Sequence, residues 1–356
     1  MQKSNPITTL INGATKALTG AIEGATEVLT SGAKAITQVK AGYDAAKDVV
    51  DSGLRGATEV GRTLWDAITG TPGGVRPQAG IATLSSTQLS SLAPFTQFAR
   101  ATYCPTGKLK NWSCGEACRA NSDFQATLVG GDGNAIQQFF VGYSPSQQSV
   151  VVAHQGTDPT KFLSDLTDLD ILLDTPDPAL YPGIPAGVKV HQGFRNEQAK
   201  TAHQILAEVK RLMQAKKTKN IYVIGHSLGG ALAELDSVFL SLNLPKSSSV
   251  KAITYGTPRV GNAEFAKLVD AKVPNFIRVN NKRDIVPIVP WETLGYLHPH
   301  GEIHLLSPGN AVVCPGDDNS KDAQCTDNSV PNILAGNVFD HLGPYEGIYL
   351  GVAYCT

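Results

Sequence analysis

A serine stands between glycines in the stretch IGHSLGGALA, where Gly225, Ser227 and Gly229 form a G-x-S-x-G pattern. The apolar run Ile221–Ile224 before it predicts a buried strand, and the small residues after it predict a helix. In this setting the glycines allow a sharp turn that exposes the serine hydroxyl at the start of the helix, where developing negative charge is stabilised. The pattern therefore predicts Ser227 as a nucleophile, with an ordinary strand–turn–helix that contains a serine as the alternative.

A serine hydroxyl is a weak nucleophile without a base, and in this architecture an acid and then a histidine follow the serine along the chain. Asp284 lies just past a predicted strand, and loops at the ends of such strands face the same edge as Ser227. Asp236 and Glu264 fall within predicted helices and are expected to be solvated. Asp284 is therefore the predicted acid.

Four histidines that follow the serine compete for the role of the base. His341 lies in the loop VFDHLGPYEG near the C-terminus. The other three fall in HPHGEIH and are His298, His300 and His304. The residues alone favour His341 and leave the other three open.

Strand and helix signals alternate from about Ile81 onward, which predicts an α/β domain over residues 81–356 whose later strands are parallel. The predicted strands are Ala126–Val129, Ile136–Tyr143, Val150–His154, Ile221–Ile224, Val250–Tyr255 and Asn275–Asn280. The predicted helices are Arg195–Ala215, Gly229–Leu242 and Asn262–Ala271. The stretch Gly130–Gly133 predicts a hairpin turn between the first two strands.

Residues 1–80 are rich in Ala, Gly and Thr and carry repeats at an 11-residue spacing, NGATKALTGAI followed by EGATEVLTSGA. That spacing corresponds to three helical turns and predicts an amphipathic helix, with a Pro/Gly-rich linker at 69–80. In composition the repeats resemble those of lipid-droplet coat proteins of the perilipin type. Two interpretations stay open: a prosegment or leader, which is preferred, and a segment that contacts a lipid surface.

The six cysteines form no C-x-x-C pair, which argues against zinc and thioredoxin-type sites and favours three disulfides made in an oxidising compartment. Asn111 begins the only N-x-S/T sequon of the chain and predicts N-glycosylation. We therefore expect a secreted protein, although Met1–Leu10 shows no apolar signal segment. The formal net charge of −1 argues against a nucleic-acid partner, and we expect a monomer.

The second region resembles the class 3 lipases of filamentous fungi, a family of the α/β-hydrolase superfamily. The resemblance is carried by YCPTGKLKNWSCGEAC, VVVAHQGTD, VHQGF, IGHSLGGALA, YGTPRVGN, RVNNKRDIVP and HLGPY, which span about residues 95–356. It implies an α/β-hydrolase fold, with a mostly parallel central sheet flanked by helices, and a catalytic triad of Ser227, Asp284 and His341. In that triad the serine attacks an ester carbonyl, the histidine moves its proton to the leaving alcohol, and the acid orients the histidine.

The resemblance also implies an oxyanion hole formed by Thr157 and by the backbone N–H of Leu228. The chain departs from the family at Gln155, where many relatives carry Arg, and this bears on the packing of the local loop. The three other histidines near the site are expected to make structural hydrogen bonds; they are His154, His191 and His226.

The segment after Thr157, DPTKFLSDLTDLDILL, has an apolar face that includes Phe162, Leu163 and Leu166, with mostly polar and acidic residues on the other side. In the family the equivalent segment is a lid over the serine. We expect it to close over Ser227 in water and to turn outward at an oil surface, with an ordinary surface helix as the alternative.

The family pattern implies the disulfides Cys104–Cys355 and Cys114–Cys118, which leaves Cys314–Cys325 as a local clip. The clip encloses PGDDNSKDAQ, which lacks the glycine and the terminal glutamate of an EF-hand, so a solvated loop is preferred to a calcium site. The histidines of HPHGEIH are better explained by a strand at the rim than by zinc ligation. No metal or cofactor is therefore expected.

The preferred function is hydrolysis of acylglycerol esters by a triacylglycerol lipase, since the apolar lid favours lipid acyl chains. One alternative keeps the triad and assigns feruloyl-type or phospholipid esters as substrates. A second alternative is a lipid-surface binding protein whose hydrolase domain is idle. The intact set of Ser227, Asp284 and His341 argues against the second alternative.

Overall fold

A computed structural model describes residues 81–157, 172–318 and 322–355. The predicted amphipathic segment 1–80 and the predicted lid residues Phe162, Leu163 and Leu166 lie outside these ranges and stay predictions. Within the described ranges, no helix has both the length and the apolar character needed to cross a bilayer.

The strands of the described residues form one large sheet and one small sheet. They are β1 Ala82–Thr83, β2 Gln125–Gly130, β3 Phe139–Ser144, β4 Ser149–His154, β5 Leu173–Asp174, β6 Val190–His191, β7 Asn220–His226, β8 Ser249–Tyr255, β9 Phe276–Asn281, β10 Glu302–Ser307 and β11 Asn310–Val313. The large sheet has nine strands in the order β1-β11-β10-β9-β8-β7-β4-β3-β2, and β5 pairs with β6. Strands β4, β7, β8, β9 and β10 run parallel, whereas the outer pairs are antiparallel. The predicted mostly parallel sheet is therefore confirmed.

Helices cover both faces of this sheet. The α-helices of the described residues are α1 Ser86–Ser90, α2 Ala93–Ala101, α3 Thr106–Lys110, α4 Glu116–Ala120, α5 Gln192–Ala199, α6 Ala202–Lys216, α7 Leu228–Asn243, α8 Ala263–Lys272 and α9 Thr326–Ser329. Short 3₁₀ helices cover Glu292–Leu294, Ile333–Ala335, Val338–Leu342 and Val352–Tyr354. Along β4, Val150 and Val152 belong to the core that includes α6 and α7, whereas Val151 and Ala153 belong to the core that includes α2. A parallel strand buried on both faces explains why its sequence is a continuous apolar run.

The prediction of one continuous helix over Arg195–Ala215 is wrong, because two separate helices, α5 and α6, cover that range. The break falls at Lys200 and Thr201, and the Thr201 hydroxyl donates to the carbonyl of Gln198 at 3.4 Å. A threonine hydroxyl bonded to nearby backbone competes with the hydrogen bonds of a helix. We attribute the break to this local competition.

The predicted strand Ile136–Tyr143 begins later than expected, at Phe139. The Asp132 carboxylate accepts the backbone N–H groups of Asn134 and Ile136 at 2.9 and 3.0 Å, which holds this connection as a turn. Strands β2 and β3 nevertheless pair antiparallel, so the predicted hairpin is confirmed.

Three disulfides cross-link the chain, in the pairing that the resemblance implied. They are Cys104–Cys355, Cys114–Cys118 and Cys314–Cys325. Asn111 is exposed at the end of α3, and its glycosylation stays a prediction.

The acidic loop within the third disulfide was expected to be solvated, and this is wrong for Asp318, which is buried. The Asp318 carboxylate accepts a hydrogen bond from Nε of Arg259 at 2.7 Å. The same guanidinium donates to Asp327 and to the carbonyls of Ile288 and Pro290. A buried cation needs carboxylate partners, and this requirement draws the loop onto the domain.

The carboxyl group of Glu234 on α7 is fully buried, and neither of its oxygens has a hydrogen-bond partner within the described part of the chain. Burial raises its pKa well above the ordinary value of 4.5. The folded state therefore binds this proton more tightly than the unfolded chain does, and this group makes stability fall as the pH rises from 4.5 towards the folded pKa.

Replacing Glu234 by glutamine removes this titration and keeps the side-chain shape. We expect the Tm of Glu234→Gln minus the Tm of the wild type to be more positive at about pH 8 than at about pH 5. The reason is that only the higher pH forces the buried carboxyl of the wild type towards ionisation. Thermal unfolding followed by circular dichroism at both pH values measures the difference. Glu264→Gln, at an exposed position of α8, is the matched control and should show no such pH dependence. A Tm difference for Glu234→Gln that is the same at both pH values would contradict the prediction.

Candidate active site

The turn between β7 and α7 holds Ser227 in a strained backbone conformation, with a φ of 60° and a ψ of −131°. The chain is too tightly packed here for larger residues, since a Cβ at Gly225 would lie 1.9 Å from the carbonyl oxygen of Gly229. A Cβ at Gly229 would lie 2.4 Å from the carbonyl oxygen of His154. The backbone N–H of Ser227 donates to the carbonyl of Tyr255 at 2.9 Å. The glycine pattern thus produces a tight turn with the serine between strand and helix, as in a nucleophile elbow.

The acid and the histidine come from two later segments that meet at this edge of the sheet. Asp284 follows β9, and His341 lies in the 3₁₀ helix Val338–Leu342. Both side chains are buried, and Nδ1 of His341 lies 2.8 Å from Oδ2 of Asp284. The other carboxylate oxygen accepts the backbone N–H of Val286 at 2.9 Å. Because a carboxylate only accepts, Nδ1 carries the proton and Nε2 of neutral His341 is the basic atom.

Two buried polar atoms at this edge, Ser227 Oγ and His341 Nε2, have no hydrogen-bond partner in the described residues. They are therefore not bonded to each other in this state. The His341 ring packs on the ring of His226, the residue before Ser227, with centroids 4.4 Å apart. The segments that carry Nε2 of His341 and Oγ of Ser227 are therefore in contact. Transfer of a proton from a serine to a base requires the two groups to be carried by neighbouring segments.

Two residues at this edge were given no role by sequence reasoning. Gly256, at the end of β8, has a φ of +50°, and a Cβ there would lie 2.7 Å from Asp284 Oδ2 and 2.8 Å from His341 Nδ1. The Tyr345 hydroxyl donates to the carbonyl of His341 at 3.2 Å. Both residues lie within motifs of the resemblance, YGTPRVGN and HLGPY, but nothing in their spacing indicates these contacts.

Thr157 and Leu228 lie on the two chain segments that adjoin Ser227. The loop that ends at Thr157 packs on the turn, since a Cβ at Gly156 would lie 2.9 Å from the Cβ of Ser227. The carbonyl of Gly156 accepts a hydrogen bond from Nε2 of Gln137 at 2.7 Å, which holds the loop. Leu228 is the first residue of α7, where a backbone N–H has no acceptor within the helix. The role of both residues as oxyanion donors stays a prediction.

The histidines expected to be structural do make internal hydrogen bonds. Nε2 of His154 lies 2.8 Å from Oδ2 of Asp236, and Oδ1 of that carboxylate accepts from Gln198 at 2.7 Å. The expectation of a solvated Asp236 is therefore wrong, because α7 is buried on every side over this stretch. Nδ1 of His191 accepts the backbone N–H of Gly193 at 3.1 Å, and burial lowers the pKa of His191 to about 4.

The three histidines that competed with His341 have other partners. His298 and His304 bond backbone carbonyls, and His300 pairs with Asp270 at 2.5 Å. None of these hydrogen bonds involves Asp284. The structure therefore brings the predicted acid together with His341 and not with the HPHGEIH histidines.

In the described ranges, two groups of side chains of the kinds that ligate metals have their possible ligand atoms close to one another. One contains Glu302 with Cys314 and Cys325, but the two cysteines are bonded to each other. The other contains Asp318 and Asp327, which are both paired with Arg259. Both groups are thus engaged by other residues of the chain.

Comparison with known proteins places this chain in a family. The family model for lipase (class 3) matches residues 151–294. The secreted mono- and diacylglycerol lipase MDL4 of Malassezia globosa is 31% identical over 78% of this chain and 90% of its own length. This chain belongs to the class 3 lipases. The region matched by the family model includes Ser227 and Asp284 and ends before His341, which contacts Asp284 at 2.8 Å.

One further relative and one solved structure show how much of this chain is similar to known lipases. The secreted mono- and diacylglycerol lipase MDL2 of Malassezia globosa is 36% identical over 54% of this chain, which spans 65% of that relative. A solved triacylglycerol lipase, described as having a serine-protease triad as its catalytic centre, is 27% identical with a TM-score of 0.66. The structural match covers 78% of this chain and 100% of the solved lipase. The fold of this class 3 lipase is therefore the α/β-hydrolase fold.

Proposed function

We propose that this class 3 lipase is a serine ester hydrolase that cleaves acylglycerols outside the cell. The observation that carries the proposal is the buried His341–Asp284 pair beside the strained turn that bears Ser227. The relatives support it, since two are named as secreted mono- and diacylglycerol lipases and a similar structure as a triacylglycerol lipase. The three disulfides agree with an oxidising, extracellular setting.

The proposed reaction proceeds through an acyl-enzyme. Ser227 Oγ attacks the ester carbonyl while Nε2 of His341 takes its proton, and Asp284 stabilises the resulting imidazolium. The imidazolium gives this proton to the departing glycerol oxygen, which leaves the acyl group bonded to Ser227. A water molecule, deprotonated by His341, then attacks the acyl carbonyl. The fatty acid leaves and the proton returns to Ser227 Oγ, so the enzyme is regenerated.

The oxyanion of each tetrahedral intermediate is proposed to be held by Thr157 and by the N–H of Leu228. Replacing Thr157 by valine keeps the side-chain shape and removes the hydroxyl donor, so we expect kcat to fall by about 100- to 1000-fold. Steady-state kinetics with p-nitrophenyl butyrate measure the change. Thr157→Ser retains a hydroxyl and should recover most of the rate. An unchanged kcat in Thr157→Val would remove the hydroxyl of Thr157 from the oxyanion hole.

The substrate class is tested with a panel of esters and a reagent that labels the nucleophile. Initial rates of acid release are compared on dioleoylglycerol and trioleoylglycerol emulsions, methyl ferulate and phosphatidylcholine vesicles. We expect the acylglycerols to be cleaved fastest, whereas faster release from methyl ferulate would support a feruloyl esterase with the same triad. A p-nitrophenyl alkylphosphonate should label Ser227, as located by mass spectrometry of the digested protein. Failure to hydrolyse any ester would overturn the proposed function.

The predicted lid residues Phe162, Leu163 and Leu166 extend this proposal to the lipid interface. Their apolar side chains would cover the acyl site in water and meet the oil phase when the segment turns outward. Rates on tributyrin below and above its solubility limit test the idea. A smooth saturation curve with no increase when the emulsion forms would count against an interfacial lid.

A further inference from the structure

His226 is fully buried directly before the nucleophile, and the triad scheme assigns it no step. Its Nε2 lies 2.8 Å from the main-chain oxygen of His341. A carbonyl oxygen only accepts, so Nε2 of His226 carries the ring proton and Nδ1 is left as an acceptor. The Tyr103 hydroxyl lies 2.5 Å from that Nδ1 and donates to it. The three residues therefore form one directed chain of hydrogen bonds, from Tyr103 through His226 to the backbone of His341.

This series of hydrogen bonds ends on the 3₁₀ helix that carries His341. The 3₁₀ helix Val338–Leu342 is bonded on the acid side, where Asn281 donates to the carbonyl of Asp340 at 2.8 Å. Among the described residues, the hydrogen bond from His226 links this helix directly to β7, the strand that leads into Ser227. The ring contact between His226 and His341, 4.4 Å between centroids, adds packing to the same link.

The position requires His226 to stay neutral while the catalytic cycle makes His341 a cation. Burial lowers the pKa of His226 well below 6.5, and a charge on His341 lowers it further. A neutral ring keeps one donor and one acceptor in place throughout the cycle, and so both bonds persist when His341 is protonated.

We propose that His226 and Tyr103 form a positioning pair that holds the His341 turn against the Ser227 turn. The pair touches no reacting atom and acts by fixing the direction of the His341 imidazole. This inference rests on the proposed esterase function, because it concerns how that base reaches its nucleophile.

Three variants separate the hydrogen-bond role of His226 from simple filling of the core. His226→Leu removes the donor and the acceptor, and we expect kcat for p-nitrophenyl butyrate to fall about 10- to 100-fold with KM little changed. His226→Gln carries an amide donor and a carbonyl acceptor, so it should recover most of this loss. Tyr103→Phe should lower kcat in the wild-type background and have little further effect in His226→Leu. His203→Gln, at an exposed position on α6, is the control for the His-to-Gln change and should match the wild type.

The outcomes distinguish this inference from the function it rests on. A wild-type protein that hydrolyses no ester contradicts the proposed function itself. An active wild type with an unchanged kcat in a folded His226→Leu overturns the positioning pair, as does a His226→Gln variant no better than His226→Leu at equal Tm. If His226→Leu does not fold, Tyr103→Phe decides alone, because an unchanged kcat in that variant also overturns the proposal.

Discussion

Replacing Ser227 by alanine is expected to lower kcat for ester hydrolysis by about 10⁵- to 10⁶-fold, because the variant lacks the hydroxyl that accepts the acyl group in the proposed reaction. The backbone of the turn is held by the Ser227 N–H bond to Tyr255 and by the glycine contacts, which an alanine leaves in place. Hydrolysis of p-nitrophenyl butyrate, with the phosphonate label as a second measure, gives the size of the loss.

The matched control for this variant is Ser241→Ala on α7, whose hydroxyl bonds the carbonyl of Val238 away from the turn. The control should retain wild-type kcat and take up the label. A Ser227→Ala protein that still hydrolyses the ester at more than about one thousandth of the wild-type rate, with the Ser241→Ala control active, would show that another group is the nucleophile.

Removal of the disulfide Cys104–Cys355 is expected to cause the largest loss of stability among the three. The bond joins residues separated by 251 positions, so its loss frees a very long loop in the unfolded chain. The chain-entropy model gives about 5 kcal/mol for such a loop, as an upper value. Guanidinium unfolding of the double variant Cys104→Ala/Cys355→Ala, compared with the wild type, measures the change in free energy of unfolding.

The disulfide Cys114–Cys118 provides the contrast, because its cysteines are only 4 positions apart and are as buried as Cys104. For this short loop the same model gives about 2 kcal/mol. Equal losses from the two double variants would mean that local packing, and not the length of the loop, sets the contribution of these bonds.

Elements with a strong local pattern could be predicted from the sequence. The strand before Ser227, the small-residue helix after it and the helix that begins after Asn262 appear as β7, α7 and α8, with ends shifted by a residue or two. Asn262, predicted as the first residue of that helix, is its N-cap, and its side chain accepts the N–H of Phe265. The prediction of one continuous helix over Arg195–Ala215 was wrong because α5 and α6 are separated at Lys200 and Thr201, and the periodicity of the sequence does not reveal this break.

Some residues of the candidate site could likewise be predicted from the sequence, whereas others were identified only in the tertiary structure. The order of serine, acid and histidine selected Ser227 and Asp284 from their places at strand ends, but the residues alone left four histidines in competition. The 2.8 Å contact with Asp284 singles out His341, and packing also buries Asp236 and Asp318, which the sequence placed in solvent.

By itself, the sequence determined the apolar strands, the glycines that allow the serine turn and the residue types available for acyl transfer. The family resemblance implied His341 as the base, but only the tertiary structure shows this imidazole in contact with the acid and shows that His226 and Tyr103 tie it to the serine strand. The physical reason is that the periodicity of side chains and the steric limits of the backbone act over a few residues, so their effects can be predicted from the sequence. A hydrogen bond between segments 57 or 123 positions apart depends on the route of every strand between them.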